Sequence, residues 1–354
     1  MSAHDISEAI SMIRESAAGI AVRHDLGRIR KLRYSVPGFD RTTWRNMCEM
    51  GWLALSLPEE KGGVGLGMTA SCALMEELGR ALVPEPVIGA TLAIQTLGDD
   101  QLPDVLSGEK MILPAWQTTR SGMSTSDPIP VENGTVNGVM RYVPMAAGAD
   151  AFVVATANGW GLVDAHSPTL ALDVAQTQDG GHYGTLTFSG TPVSIVSDTA
   201  LAGPVAQATL ATAAYLLGVI DEAIERTLDY LRTRVQFGKP IGSFQSLQHR
   251  MVDLSLEAAL TRASVADAAR IWDGSPGSSK AYAAVSRAKA RASTTAMLVT
   301  RQAIQMHGGI GYTDEHDIGL YLRKAMVMAP AYGDAALHRK RFAQYMPDHA
   351  EAAA

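Results

Sequence analysis

Two cysteines in 354 residues, Cys48 and Cys72, are too few for a disulfide framework and show no metal-ligand spacing. Aromatic residues are sparse at 6%, and 30 Lys plus Arg fall short of 36 Asp plus Glu, for a formal charge of -6. That balance excludes the basic footprint a nucleic-acid partner needs. The one basic cluster, Arg23 to Arg33 with Arg28, Arg30 and Lys31 inside it, reads as a solvated face or an intersubunit contact. No apolar run reaches the roughly 20 residues that span a bilayer. The first residues carry Asp5, Glu8, Arg14 and Glu15 and lack the apolar centre of a secretory signal. These absences set the expectation of a cytoplasmic protein with neither a membrane nor a nucleic-acid partner. Core-forming material is plentiful, at 47% hydrophobic residues. At roughly 100–200 residues per domain, the length holds two or three domains.

The pattern along the chain changes twice. Residues 1–110 read as helices joined by turns. Ile6, Ile10, Ile13 and Ile20 give a broken helical period, and Asp40 stands as an N-cap before Trp44, Met47 and Cys48. Gly62, Gly63, Gly65 and Gly67 then interrupt any helix. A phosphate-cradling loop would need a strand–GxxxxGK[ST]–helix setting, which is missing, so a compact structural loop is expected. Met75, Leu78 and Leu82 mark the next helix. From 111 to 200, short runs such as Ala151–Thr156 and Tyr183–Phe188 alternate apolar and polar residues. Asn133-Gly134 and Asn158-Gly159 punctuate them as turns, which predicts a β-barrel or sandwich domain. From 201 to 354 the period is helical again, through Leu210, Ala213, Leu217, Ile220, Ile224, Leu228 and Leu231. Gln245–Asp273 and residues 278–307 repeat it, and a fourth helix is expected near 334–345. The expected fold class is therefore α+β, with an antiparallel four-helix bundle at the C-terminal end.

Three segments resemble the acyl-CoA dehydrogenases. The first is Gly51-Trp52-Leu53-Ala54-Leu55-Ser56-Leu57-Pro58-Glu59-Glu60-Lys61-Gly62-Gly63-Val64-Gly65-Leu66, followed by Glu76, Glu77 and Arg80. The second runs from Arg232 to Gln248. The third is Gln305-Met306-His307-Gly308-Gly309-Ile310-Gly311-Tyr312. Together with the order of helical, β and helical domains they cover nearly the whole chain. The resemblance implies noncovalent FAD and oxidation of acyl-CoA to 2-enoyl-CoA. In that chemistry a carboxylate removes the α proton, and the β hydrogen leaves as hydride to the flavin. Arg234 and Phe237 match the family's Arg-x-x-Phe, which reaches across a dimer to the diphosphate and adenine of a neighbour's FAD. Gln245 matches a glutamine near that adenine. Gln305, Gly308 and Gly309 match a second cross-subunit element.

The same resemblance exposes departures. The family's base is the Glu of a Tyr-Glu-Gly-Thr motif, and its position falls on Gly333 in Ala331-Tyr332-Gly333-Asp334. An alternative base position near Ala208-Thr209 also lacks an acid. Flavin-contacting Thr and Gln positions fall on Ala335 and Leu337. The β-domain flavin loop falls on Arg120–Asp127 with only its end retained, the Trp-Ile-Thr segment on Tyr142-Val143-Pro144, and the usual Arg-Asp pair on Arg323-Lys324. Groups for this chain's own flavin ring are lost, while groups reaching toward a neighbour are kept. The resemblance thus implies the non-catalytic subunit of a heterotetramer. A catalytic acyl-CoA dehydrogenase partner would share the FAD, electron-transfer flavoprotein would accept the electrons, and a bulky steroid-type CoA thioester would be the substrate. Two alternatives stay open at this point. One is a self-sufficient homotetramer with Asp334 as a displaced base; the other is a flavin-free acyl-CoA-binding scaffold. His307 and His316 are expected to be surface or turn histidines, and no metal site is expected.

Overall fold

The computed structural model describes residues 3–119 and 128–346, with side chains from residue 7 onward. Helices α1 (Ala3–Ala18), α2 (Gly27–Leu32), α3 (Arg41–Glu49), α4 (Gly67–Arg80), α5 (Val87–Ile94) and α6 (Leu102–Leu106) come first. Strands β1 (Ile112–Ala115), β2 (Val131–Glu132), β3 (Thr135–Pro144), β4 (Ala151–Thr156), β5 (Gly159–Asp164), β6 (Leu170–Gln176), β7 (His182–Pro192) and β8 (Ser194–Ser197) follow. The chain ends in α7 (Ala202–Thr233), the short β9 (Val235–Gln236) and β10 (Lys239–Pro240), α8 (Gln245–Gly274), α9 (Ser279–His307), α10 (Gly309–Tyr312), α11 (Ile318–Met328) and α12 (Ala335–Tyr345). The α+β class and the order of helical, sheet and helical domains are those expected from the pattern.

Packing groups the chain into two compact units. One consists of Arg28–Ser71 and Pro84–Ala208. It holds two four-stranded sheets, ordered β1-β4-β5-β8 and β2-β3-β7-β6, with only the β1–β4 pair parallel. Val136, Met140, Phe152, Val153 and Leu186 are buried in them. Asn133-Gly134 is the two-residue link of the β2–β3 hairpin, both residues having positive φ (51° and 75°), the conformation a tight hairpin demands. Asp40 caps α3 as expected, accepting from the amides of Thr42 and Thr43, and Trp44, Met47 and Cys48 are buried beneath it. The glycine-rich loop is structural: a Cβ on Gly63 would lie 1.9 Å from the Leu57 carbonyl oxygen.

The other unit consists of Met1–Gly27, Cys72–Val83 and Thr209–Ala354. The α4 segment and α7 touch backbone to backbone, because a Cβ on Gly79 would lie 2.0 Å from the Tyr215 oxygen and one on Gly218 would lie 2.0 Å from the Glu76 oxygen. Ile20 falls beyond the end of α1, which explains its broken period. By length and composition alone α7 could span a membrane, but 89% of its apolar window is buried inside the molecule, where Leu210, Leu217 and Ile220 serve as core. Helices α8, α11 and α12 pack around α9, whose buried face is mostly alanine, serine and threonine and lets them approach closely. Arg262 pairs with Glu76 and Asp221, and Arg14 with Glu76 and Glu77, in a charged seam that links α1, α4, α7 and α8.

Candidate flavin-contact site and base loop

Every candidate contact residue lies at a helix end in the second unit. Helix α7 stops at Thr233, and the Arg234 amide still bonds to the Tyr230 carbonyl at 2.8 Å. The Ile241 amide bonds back to the Arg234 carbonyl, also at 2.8 Å, and closes the β9–β10 hairpin. Its tip is Phe237-Gly238, with φ of 54° and 76°. For a bulky residue such as Phe, positive φ costs of order 1–3 kcal/mol, and such strain concentrates at ligand clamps. The residue is also 90% exposed, and its ring meets that of Phe244 edge-on with centres 6.1 Å apart. Arg234 is exposed, and its guanidinium has no carboxylate or carbonyl partner among the described residues. Gln245 opens α8 from an exposed position.

The second element is the end of α9. Gln305 is exposed on the last turn, and Gly308 follows with φ 68° and ψ -143°, a conformation essentially reserved for glycine. A Cβ on Gly308 or Gly309 would meet nothing within 4 Å, so the backbone conformation explains Gly308 while nothing in this chain's own packing explains Gly309. The Tyr230 hydroxyl donates to the His307 carbonyl at 3.2 Å, which brings the Arg234 turn and the Gly308 turn together. His307 departs from expectation: it is 3% exposed and buried, because its ring turns inward under the helix end. Burial pushes its pKa down to about 4, keeping the ring neutral.

The α11–α12 loop is held from inside. Lys289, fully buried on α9, donates from Nζ to Ser293 Oγ (2.9 Å), the Ala329 carbonyl (2.7 Å) and the Gly333 carbonyl (3.1 Å). Burial pushes its ammonium down to about 7. His338 Nε2 contacts the Tyr332 carbonyl at 2.9 Å, and Tyr332 and Gly333 both have positive φ. Nothing in the sequence of α9 pointed to Lys289, since a lysine in an Ala-rich helix ordinarily faces water. Asp334 supplies the loop's only carboxylate. It caps α12, accepting from the Leu337 amide at 2.8 Å. Asp334→Ala is expected to cost about 1 kcal/mol in urea unfolding, while Asp334→Asn, another good cap, is expected to change neither stability nor turnover of the assembled enzyme. A collapse of turnover in the folded Asn variant would restore Asp334 as a base.

In the sheet unit, Tyr142 has φ 59° at an irregularity in the β3–β7 register, and Pro144 pairs with Tyr183 without an amide to donate. The Arg120–Asp127 segment lies outside the described residues. Arg323 pairs with Asp314 at 3.1 Å. Among the described residues no group of three or more His, Cys, Asp or Glu could hold a metal ion.

Residues 7–104 match the acyl-CoA dehydrogenase N-terminal domain and residues 200–346 the acyl-CoA dehydrogenase C-terminal domain. The protein "Acyl-CoA dehydrogenase IpdE2" of Mycobacterium tuberculosis is 34% identical over 320 residues, covering 90% of this chain and 91% of its own length. The chain belongs to the acyl-CoA dehydrogenase family. It is an oxidoreductase chain of a flavoprotein family. Among solved structures, a variant of the "Tcur3481-Tcur3483 steroid ACAD" superposes with a TM-score of 0.87 at 28% identity, covering 98% of this chain and 99% of that one. The ChsE4-ChsE5 complex from Mycobacterium tuberculosis shares the fold at a TM-score of 0.84 and 24% identity, with 98% of each chain covered. This acyl-CoA dehydrogenase chain has no free carboxylate in the α11–α12 loop where the family motif places its base.

Proposed function

We propose that this chain is the non-catalytic subunit of a heterotetrameric, FAD-dependent acyl-CoA dehydrogenase and that it grips a flavin whose ring sits in the partner. The observation that carries the reading is a contrast. Phe237 is strained and exposed and Arg234 has no partner among the described residues, while the base loop's carboxylate is committed to a helix cap.

The residues present fit the dinucleotide end of FAD. A guanidinium in the open at Arg234 matches diphosphate oxygens, which it can bind in bidentate fashion. Phe237 offers a ring face or edge to the adenine, with Gln245 as its hydrogen-bonding neighbour. Gly308 and Gly309 leave open space beside the end of α9 that lets the backbone approach the phosphates. The Gly308 amide is spent on the Ile304 and Gln305 carbonyls, so the approach is at Gly309, and Gln305 adds a side-chain amide. When bound, FAD takes the β hydrogen of the acyl-CoA as hydride. This chain's residues anchor the cofactor's far end and fix its orientation. The partner supplies the carboxylate that removes the α proton and the donors to the thioester oxygen. Electron-transfer flavoprotein then accepts the electrons. Similarity to a steroid ACAD supports a bulky, steroid-type CoA thioester as substrate.

Arg234→Ala tests the reading. Charge-assisted hydrogen bonds to phosphate contribute about 1.5–3 kcal/mol, so FAD affinity of the co-purified complex is expected to fall by about 10- to 100-fold. The exposed side chain has no partner among the described residues, so the subunit ratio on a sizing column is expected to stay the same. Unchanged FAD occupancy in that variant would remove the role.

A further inference from the structure

Three rings meet beneath the two turns that carry the proposed flavin contacts. Tyr230, one turn before Arg234, stacks on His307 with ring centres 4.4 Å apart and planes 25° from parallel. His316 packs against both, 4.6 Å from the His307 ring and edge-on to Tyr230 at 6.1 Å. Hydrogen bonds tie the Tyr230 and His307 rings to carbonyls of α9 and the His316 ring to the start of α11. The Tyr230 hydroxyl takes the His307 carbonyl, one of the last four of α9, which a helix end leaves unsatisfied. His307 Nδ1 lies 2.7 Å from the Ala303 carbonyl, an acceptor, so the proton sits on Nδ1. His316 Nδ1 accepts the Ile318 amide at 3.1 Å, at the start of α11.

Plain core packing does not call for this set. His307 Nε2 is buried with no hydrogen-bond partner among the described residues, a desolvation cost that a leucine or phenylalanine would avoid. A histidine in that place gives what an apolar side chain lacks. Unlike leucine it has a flat ring that stacks on Tyr230, and unlike phenylalanine it has a directional bond, to the Ala303 carbonyl, that stops the ring from turning. We infer that Tyr230, His307 and His316 are positioning residues that fix the spacing between the Arg234–Phe237 hairpin and the Gln305–Gly309 turn. The inference rests on the flavin reading above. It adds that the two contact elements form one site only because this ring cluster joins them. A dinucleotide bound at both elements needs them at a set distance, and affinity falls when either drifts.

The test uses the co-purified complex, freed of flavin and titrated with FAD, in a double-mutant design. Tyr230→Ala and His307→Leu are each expected to weaken FAD binding about 10-fold with the subunit ratio unchanged, since each removes the ring stack but no contact to the cofactor. Tyr230→Phe keeps the stack and loses only the hydroxyl, and is expected to fall between wild type and Tyr230→Ala. Combined with Arg234→Ala, either ring variant is expected to add less than about 3-fold to the loss from Arg234→Ala alone, because a misplaced arginine and an absent one lose the same contact. Should Tyr230→Ala fail to assemble, Tyr230→Phe with and without Arg234→Ala carries the same comparison. If Arg234→Ala weakens FAD while the ring variants bind it normally, or if the losses simply add, the positioning role is overturned and the flavin reading stands. If Arg234→Ala itself has no effect, both fall.

Discussion

Replacing Lys289 by alanine is expected to lower the unfolding free energy by about 3–5 kcal/mol. The side chain is fully buried, and its three protons meet three acceptors: a hydroxyl and the carbonyls of Ala329 and Gly333. Truncation leaves a cavity and takes its side-chain donor from the Gly333 carbonyl, while the Ala329 carbonyl keeps the Ser293 hydroxyl at 3.0 Å. An unmet acceptor costs about 1–3 kcal/mol. The loop those carbonyls belong to holds two residues at positive φ, so it has little local preference to keep its shape. Faster amide exchange across residues 329–334 is the expected local sign. Lys289→Met fills the space without donors, and its comparison with wild type has a pH dependence of definite sign. Burial lowers the folded-state pKa from 10.5 to about 7. Between those values the unfolded chain holds a proton that the folded chain has released, so stability rises with pH across that window. Urea midpoints at pH 6.5, 8 and 9.5 should therefore rise more in wild type than in Lys289→Met. Parallel curves would contradict the assignment.

Loss of Arg28 is expected to be comparably severe in the other unit. The Glu85 carboxylate is fully buried and receives both terminal nitrogens of Arg28 at 2.8–3.0 Å, with a weaker bond from the Asp40 amide at 3.3 Å. Arg28→Ala leaves that charge without a counterion, a change that costs about 3–5 kcal/mol. Burial already raises the Glu85 pKa and Arg28 opposes it, so the variant's carboxyl should titrate higher still. A carboxyl raised in the folded state destabilises that state above its unfolded pKa, so the deficit should shrink as pH falls toward 4.5. Adding Glu85→Gln should restore most of the loss in thermal unfolding at pH 7. A single-variant loss below about 1 kcal/mol would show the pair to be solvated after all.

How much of this was legible in the sequence depends on the range of the interaction involved. Local signals carried well. Asp40 and Asp334 precede helical periods and cap them, Asn133-Gly134 makes its hairpin, and the apolar spacing from Leu210 to Leu231 lines a buried face. The proposed contact residues at Arg234 and Gly308 were legible only through motif resemblance, because exposed groups leave no trace in periodicity. What stayed hidden depends on neighbours remote in the chain. His307 looked like a turn residue because the glycines beside it dominate the local signal, yet Tyr230, 77 positions away, stacks over it. Lys289 looked solvated because its acceptors lie 40 and 44 residues downstream. The pairing of Arg28 with Glu85 across 57 residues was hidden for the same reason, within what read as a solvated basic cluster.

The claim that this chain serves a neighbour's cofactor is tested most directly by purifying it alone and together with its catalytic partner. Flavin absorbance and acyl-CoA oxidation would be recorded for both preparations. The account predicts a colourless, inactive lone chain and a pair that binds FAD at half the stoichiometry of a homotetramer and turns over. A lone chain that binds FAD and oxidises acyl-CoA would contradict it.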